Sequence, residues 1–197
     1  MKTALVFGAT GLVGSHLVDL LIQDDRYREI IVFVRAPQSW DSGKVTQRVI
    51  DFDRLADFSD LIRGDELYIC LGTTIRQAGS VKRMEEIDRD YPVEIARLAH
   101  QNGVERVAVV SSIGADAKSR NYYLRIKGEM EEGIKNIGIP QTIILRPSIL
   151  LGKRKHFRFG EWAGKGFMQL VSPLLFGKMK QYRGIHAREV ARNLLIW

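Results

Sequence analysis

The sequence predicts an α/β architecture, a Rossmann-type doubly wound parallel sheet with a small C-terminal cap, and three observations lead to it. Short apolar runs alternate with amphipathic helical stretches, the pattern of βαβ units. The first run, Lys2-Thr3-Ala4-Leu5-Val6-Phe7, passes straight into Gly8-Ala9-Thr10-Gly11-Leu12-Val13-Gly14 and then into a helix. Small, polar or basic residues follow each apolar run, at the carboxyl ends of the predicted strands, where open parallel sheets bind ligands.

The first strand is an apolar run too short to be a helix. The helix after the turn carries Leu12, Val13, Leu17, Leu20 and Leu21 on one side. Glycine serves such a turn by allowing tight reversal, close approach of backbone to a pyrophosphate, and close helix–strand packing. The helix N-terminus adds free N–H groups and a partial positive charge. The spacing is G-x-x-G-x-x-G rather than G-x-G-x-x-G, so the placement after a strand carries the argument more than the glycines do.

Ile30 to Val34 forms the second strand and ends at Arg35. An acidic residue at this place, about 20 residues past the glycine turn, would bond the adenosine ribose, whereas an arginine can pair with a 2′-phosphate. Arg35 therefore argues for NADP(H). Residues 36–46 read as a loop. Val45 to Ile50 is the third strand, closed by Asp51-Phe52-Asp53, and a helix from Arg54 to Ile62 stops at Gly64. Glu66 to Leu71 is the fourth strand, and its exit, Leu71-Gly72-Thr73-Thr74, is small and polar where the chain should cross the middle of the cofactor. A long helix over 80–102 should be kinked or split by Pro92. Arg106 to Val110 is the fifth strand, ending in Ser111-Ser112; residues 121–136 are helical and Gln141 to Leu145 is the sixth strand.

The 197 residues suffice for one core, and a single domain over 1–197 is expected. The lone cysteine, Cys70, lies in an apolar strand, which excludes an intramolecular disulfide and suits a reducing compartment. The N-terminal apolar stretch is broken by Gly8, Thr10, Gly11, Gly14, Ser15, His16 and Asp19. It reads as neither signal peptide nor membrane span, and a cytoplasmic location is expected. The net charge of +7 is uneven, with 13 Lys/Arg against 16 Asp/Glu in residues 1–100 and 17 against 7 in residues 101–197. A positive cleft for a phosphate-bearing cofactor accounts for part of this. The densest patch, Lys153-Arg154-Lys155-His156-Phe157-Arg158, comes without any nucleic-acid-binding signature and reads as a solvated loop; no nucleic-acid partner is expected. His16, His100, His156 and His186 are scattered, without metal-ligand spacing, so no metal is expected.

Tyr123 and Lys127 stand four apart on one helical face, one loop after Ser111-Ser112. A free phenol titrates near 10, and a neighbouring ammonium favours its ionised form, towards the matched range that general acid–base catalysis uses. A serine hydroxyl beside it can donate to a substrate oxygen as negative charge develops.

Strand–GATGLVG–helix at 8–14, Ser-Ser at 111–112 and Tyr123-x-x-x-Lys127 resemble the short-chain dehydrogenase/reductase superfamily. Arg146-Pro147-Ser148 resembles its extended and atypical branches. Cys70-Leu71-Gly72-Thr73-Thr74, Asp88-Arg89-Asp90-Tyr91, Ser111-Ser112-Ile113-Gly114-Ala115-Asp116 and Gly160-Glu161-Trp162 resemble the Tat-interacting oxidoreductase family of the atypical branch. The resemblance implies that Gly8, Thr10, Gly11, Leu12, Val13 and Gly14 hold the pyrophosphate and Arg35 the 2′-phosphate. It implies that Asp51 and Phe52 border the adenine, and that Leu71, Gly72 and Thr73 line the middle of the cofactor. Pro147, Ser148 and Ile149 would face the nicotinamide amide. Tyr123 would donate the proton, Lys127 would also bond the nicotinamide ribose, and Ser112 would position the carbonyl, with Ser111 competing for that last role. Asp88 stands where many relatives carry an asparagine that supports a proton relay.

Only 51 residues follow Arg146, few for a sugar-nucleotide-binding region. The segment 156–184, rich in Phe, Trp, Met and Leu, can serve as an apolar cap over the nicotinamide end or pack simply onto the sheet. The expected function is NADPH-dependent reduction of a small carbonyl compound, and the alternative is a non-catalytic NADP(H)-binding sensor that regulates a partner. A protein partner or a homodimer stays open.

Overall fold

Six parallel strands form the central sheet of this computed structural model, which describes residues 1–152 and 184–196. They are β1 (Lys2–Phe7), β2 (Tyr27–Val34), β3 (Val45–Val49), β4 (Glu66–Ile69), β5 (Arg106–Val110) and β6 (Gln141–Leu145), in the order β3-β2-β1-β4-β5-β6. The order reverses between β1 and β4, which opens a crevice above their carboxyl ends. Six described α-helices accompany it: α1 (Leu12–Gln23), α2 (Ile75–Ala78), α3 (Val81–Glu85), α4 (Tyr91–Gln101), α5 (Tyr122–Asn136) and α6 (Ala187–Asn193). A two-stranded parallel sheet pairs β7 (Leu150–Leu151) with β8 (Ile185–His186).

Strand side chains alternate between faces, and here both faces are covered, as a parallel sheet requires. Ala4, Val6, Val32 and Tyr68 meet Leu17, Val18 and Leu21 of α1 and Val190 of α6. On the opposite face Leu5, Phe7, Phe33 and Ile69 meet Ile95 of α4 and Met130 and Ile134 of α5. Phe7 and Phe33 stack in parallel with centroids 4.2 Å apart.

The third and fourth strands end one and two residues early, at Val49 and Ile69, and three elements differ more from expectation. The second strand begins at Tyr27 rather than Ile30, because Tyr27 pairs with Lys2 of β1 and its hydroxyl reaches the buried Glu66 carboxylate. The segment expected as a helix over 54–62 is a 3₁₀ segment over Phe52–Leu61, opened by the Asp51 carboxylate accepting from the Asp53 N–H at 2.9 Å. The long helix over 80–102 is divided into α3, a π turn over Glu86–Asp90, and α4. Tyr91 donates its N–H to the Glu86 carbonyl, five residues back, and Pro92, which has no N–H, occupies the first turn of α4 where none is needed. The basic patch and nearly all of the expected cap (156–184) lie outside the described residues.

Candidate nucleotide site and catalytic face

The turn after β1 is a cradle that any side chain would fill. Gly8 has φ +83°, and a Cβ there would sit 2.5 Å from the Cys70 carbonyl oxygen. A Cβ on Gly14 would lie 2.1 Å from the Gly8 carbonyl oxygen, so α1 crosses β1 at backbone contact. The Gly11 N–H closes the turn on the Gly8 carbonyl at 2.9 Å. Gly11 is also the N-cap of α1, with no capping side chain and no acidic residue in the first turn. The first N–H groups of the helix therefore remain for an anion, and the residues present fit a dinucleotide pyrophosphate. Leu12 and Val13 bury their side chains in the core, so backbone is what they can offer. Thr10 stands exposed at the rim.

Arg35 is exposed at the end of β2 and forms no ion pair among the described residues. One strand over, the Ile50 N–H donates to the Val34 carbonyl at 3.0 Å, which sets exposed Asp51 at the neighbouring strand end. The Phe52 ring is buried edge-on to Phe7, at 6.1 Å between centroids. Its ring thus belongs to the core, and only its backbone is left to meet a ligand. Cys70, at the exit of β4, has its thiol pushed up to about 12 by burial.

Beyond Leu71 and Gly72, the Thr73 N–H donates to Asp88 Oδ2 at 2.9 Å. The other oxygen, Asp88 Oδ1, faces Lys127 Nζ at 2.9 Å. Both side chains are almost wholly buried, 1% and 3% exposed. This pair ties the exit of β4, the π turn and α5 to one another.

The two serines at the end of β5 have different surroundings. Ser111 is buried and donates to Glu131 Oε1 at 2.5 Å. Ser112 is half-buried, and among the described residues its hydroxyl makes only a 3.4 Å contact with the Ile113 carbonyl. Strand pairing continues past the ends of β5 and β6: the Ser111 N–H donates to the Leu145 carbonyl at 2.7 Å and the Ile113 N–H to the Pro147 carbonyl at 2.9 Å. The exits of β5 and β6, with Ser112 and Pro147-Ser148-Ile149, therefore run side by side.

The loop after Ser112 lies directly on α5. A Cβ on Gly128 would be 2.1 Å from the Ala117 nitrogen, and the Asp116 N–H donates to the Leu124 carbonyl at 3.1 Å. Asn121 caps α5 by accepting from the Leu124 N–H at 3.1 Å. Tyr123 follows in the first turn, 38% exposed, and Lys127 one turn later is buried. One turn further Glu131, buried, takes Arg146 in a two-pronged contact, Nε at 2.9 Å and the terminal nitrogen at 2.5 Å. The Glu131 carboxylate raises the Arg146 guanidinium above its ordinary value. Gly128 and Glu131 were missed by sequence reasoning, and so was the pairing of Asp88 with Lys127. A signal existed for Glu131 in its i+4 spacing from Lys127, but its partners lie on other elements. Among the described residues no group of three His, Cys, Asp or Glu side chains is placed to hold a metal, and no helix is long and apolar enough to cross a membrane.

A family model described as NAD(P)H-binding matches residues 8–166. The chain belongs to this family. Among curated relatives, rat Protein HTATIP2 is 31% identical over 170 residues, spanning 84% of this chain and 70% of the relative. Protein fmp52, mitochondrial, of Emericella nidulans is 36% identical over 174 residues, spanning 85% and 75%. Within the NAD(P)H-binding family the chain is thus an atypical short-chain dehydrogenase/reductase resembling HTATIP2. Solved structures share the fold. MoeE5 in complex with UDP-glucose and NAD superposes with a TM-score of 0.72 at 18% identity, over 98% of this chain and 70% of that one. The Campylobacter jejuni UDP-Glc/GlcNAc 4-epimerase superposes with 0.75 at 14% identity, over 99% and 73%. The expected cytoplasmic location is corrected by the fungal relatives, 32–36% identical, which are named as mitochondrial proteins and point to that compartment instead. A single cysteine fits any thiol-reducing compartment and does not separate cytosol from mitochondrion.

Proposed function

We propose that this member of the NAD(P)H-binding family is an NADPH-dependent reductase of a small carbonyl compound. The observation that supports the reading best is the layout of α5. It carries Tyr123 and Lys127 one turn apart, with the Ser112 loop pressed onto the same helix through Gly128, at the sheet end that also carries the glycine cradle. Gly8, Thr10, Gly11, Leu12, Val13 and Gly14 would hold the pyrophosphate, Arg35 the 2′-phosphate, and Asp51 and the Phe52 backbone the adenine edge. Leu71, Gly72 and Thr73 would line the middle of the nucleotide, and Pro147, Ser148 and Ile149 its nicotinamide end. The bound nucleotide would supply a hydride equivalent to a carbonyl carbon. Ser112 would donate a hydrogen bond to the carbonyl oxygen, and Tyr123 would deliver the proton to that oxygen. Lys127 would bond the nicotinamide ribose and stabilise the phenolate that Tyr123 leaves behind.

One observation favours a second reading, a nucleotide-binding sensor without turnover: the Lys127 ammonium is already engaged by a buried carboxylate. A panel of aldehydes and ketones, followed by NADPH oxidation, separates the two. The reductase reading expects turnover that Tyr123→Phe removes while NADPH affinity is largely kept. Binding of NADPH without oxidation by any carbonyl, unaltered by Tyr123→Phe, would leave the sensor reading standing.

A further inference from the structure

Glu131 belongs neither to the glycine cradle nor to the acid–base group, yet it is a buried carboxylate shared by three elements. It sits on the α5 face that carries Tyr123 and Lys127, four residues past the lysine. One of its oxygens accepts from Ser111 at 2.5 Å and from Arg146 Nε at 2.9 Å, and the other accepts from the Arg146 terminal nitrogen at 2.5 Å. Two-pronged arginine–carboxylate contacts fix orientation as well as contributing energy. Ser111 leaves β5 immediately before Ser112, and Arg146 leaves β6 immediately before Pro147-Ser148-Ile149. Backbone bonds zip those two exits together, Ser111 to Leu145 at 2.7 Å and Ile113 to Pro147 at 2.9 Å. Zipping alone sets the exits relative to each other; it does not set them relative to α5. The Glu131 carboxylate does, because its acceptor positions are taken by one side chain from each exit.

We infer that Glu131 is a positioning residue: by clamping Ser111 and Arg146 it aligns Ser112 and the Pro147–Ile149 segment with the Tyr123–Lys127 face, and so shapes the nicotinamide half of the nucleotide site. The inference rests on the nucleotide reading above. It also assigns the two serines. The Ser111 hydroxyl proton is committed to a buried carboxylate, which leaves Ser112 to meet a substrate oxygen.

The test separates the halves of the nucleotide. NADPH and adenosine 2′,5′-bisphosphate, the adenine half alone, are titrated calorimetrically into the wild type, Glu131→Gln, Arg146→Met and the double variant. Glutamine keeps the size of the side chain and an acceptor for Ser111, and Arg146 is 48% exposed, so both sites admit replacement. Glu131→Gln should weaken NADPH by about tenfold, the worth of one charge-assisted hydrogen bond, and leave the bisphosphate unchanged. Because the two residues act through one contact, the double variant should bind NADPH no more weakly than the worse single variant. Equal loss of both ligands would mean a general structural role and overturn the inference, as would additive losses or no loss of either ligand. A wild type that binds neither ligand would instead refute the nucleotide reading itself.

Discussion

Lys127 and Asp88 show how a single residue's consequences depend on its partner. Both are almost wholly buried, and each neutralises the other across 2.9 Å. Removing one member of a buried pair strands the other charge in a medium that solvates it poorly, at a cost of about 3–5 kcal/mol. Asp88→Leu should therefore lower stability by about that amount in urea denaturation. Asp88→Asn, which can still accept from the Thr73 N–H, should cost visibly less; equal costs would mean that the Thr73 contact contributes nothing. Arg35 is the opposite case, exposed and without an ion pair among the described residues, so its replacement should leave folding untouched. Arg35→Ala should weaken NADPH binding much more than NADH binding, and equal losses would count against a 2′-phosphate contact. Cys70 is half-buried with its thiol pushed up to about 12, so it stays protonated at pH 8 and should alkylate more slowly in the folded chain than once it is unfolded.

At the scale of elements, glycines decide which segments can touch. Gly14 lets α1 rest on the Gly8 carbonyl, and Gly128 lets the loop after Ser112 rest on α5; in both places the obstacle to a Cβ is backbone 2.1 Å away. Overpacking a tight contact costs about 1–3 kcal/mol when side chains can yield, and backbone yields less. Gly14→Ala and Gly128→Ala should each lower the thermal midpoint clearly, while Gly43→Ala, with nothing within 4 Å of the added methyl, should not. Circular dichroism melts of the three variants check this. Gly14→Ala should in addition abolish nucleotide binding, because it displaces the helix N-terminus proposed above to hold the pyrophosphate. The glycine turn was legible in the sequence because its spacing is local. The role of Gly128 was not, since the loop it accommodates is known only after the chain folds back. The π turn before Pro92 falls between: proline announced an interruption of the helix, but not that an extra residue would be accommodated there.

Across the whole molecule, the crevice end of the sheet carries the candidate site and the opposite end carries a buried polar cluster. Glu66, fully buried at the start of β4, accepts from Lys2 at 2.6 Å, Tyr68 at 2.7 Å, Arg106 at 3.1 Å and the Tyr27 hydroxyl. Burial pushes its carboxyl up, but the hydrogen bonds from Lys2, the two tyrosines and Arg106 outweigh burial and hold it below the ordinary value. A depressed carboxyl contributes its stabilisation fully above its unfolded value of about 4.3 and loses it as pH falls through the lower folded value. Urea midpoints between pH 3 and 7 should accordingly fall on the acid side. Glu66→Gln should be less stable at neutral pH and show a flatter acid limb; an unchanged limb would mean that other carboxyls govern it. A parallel sheet covered on both faces follows from apolar strands alternating with amphipathic helices, which is why the architecture was readable from the chain; the strand order β3-β2-β1-β4-β5-β6 came from the structure. The early start of β2 was not, because Tyr27 lies in a polar stretch and joins the sheet through a tertiary partner, Glu66, 39 residues away.

What the sequence by itself determined was whatever depends on neighbours along the chain: the six strands, the glycine turn, the position of Arg35, and the one-turn spacing of Tyr123 and Lys127. Periodicity and turn chemistry act over a few residues and leave their mark in the order of letters. Tertiary structure alone decided the partners of the buried carboxylates Glu66, Asp88 and Glu131, and with them which of the two serines is bonded to a carboxylate. An ionised group is tolerated away from water only where folding delivers its counter-charge and donors together. Those donors come from distant segments, Lys2 to Glu66 across 64 positions and Ser111 to Glu131 across 20, so no local pattern records them.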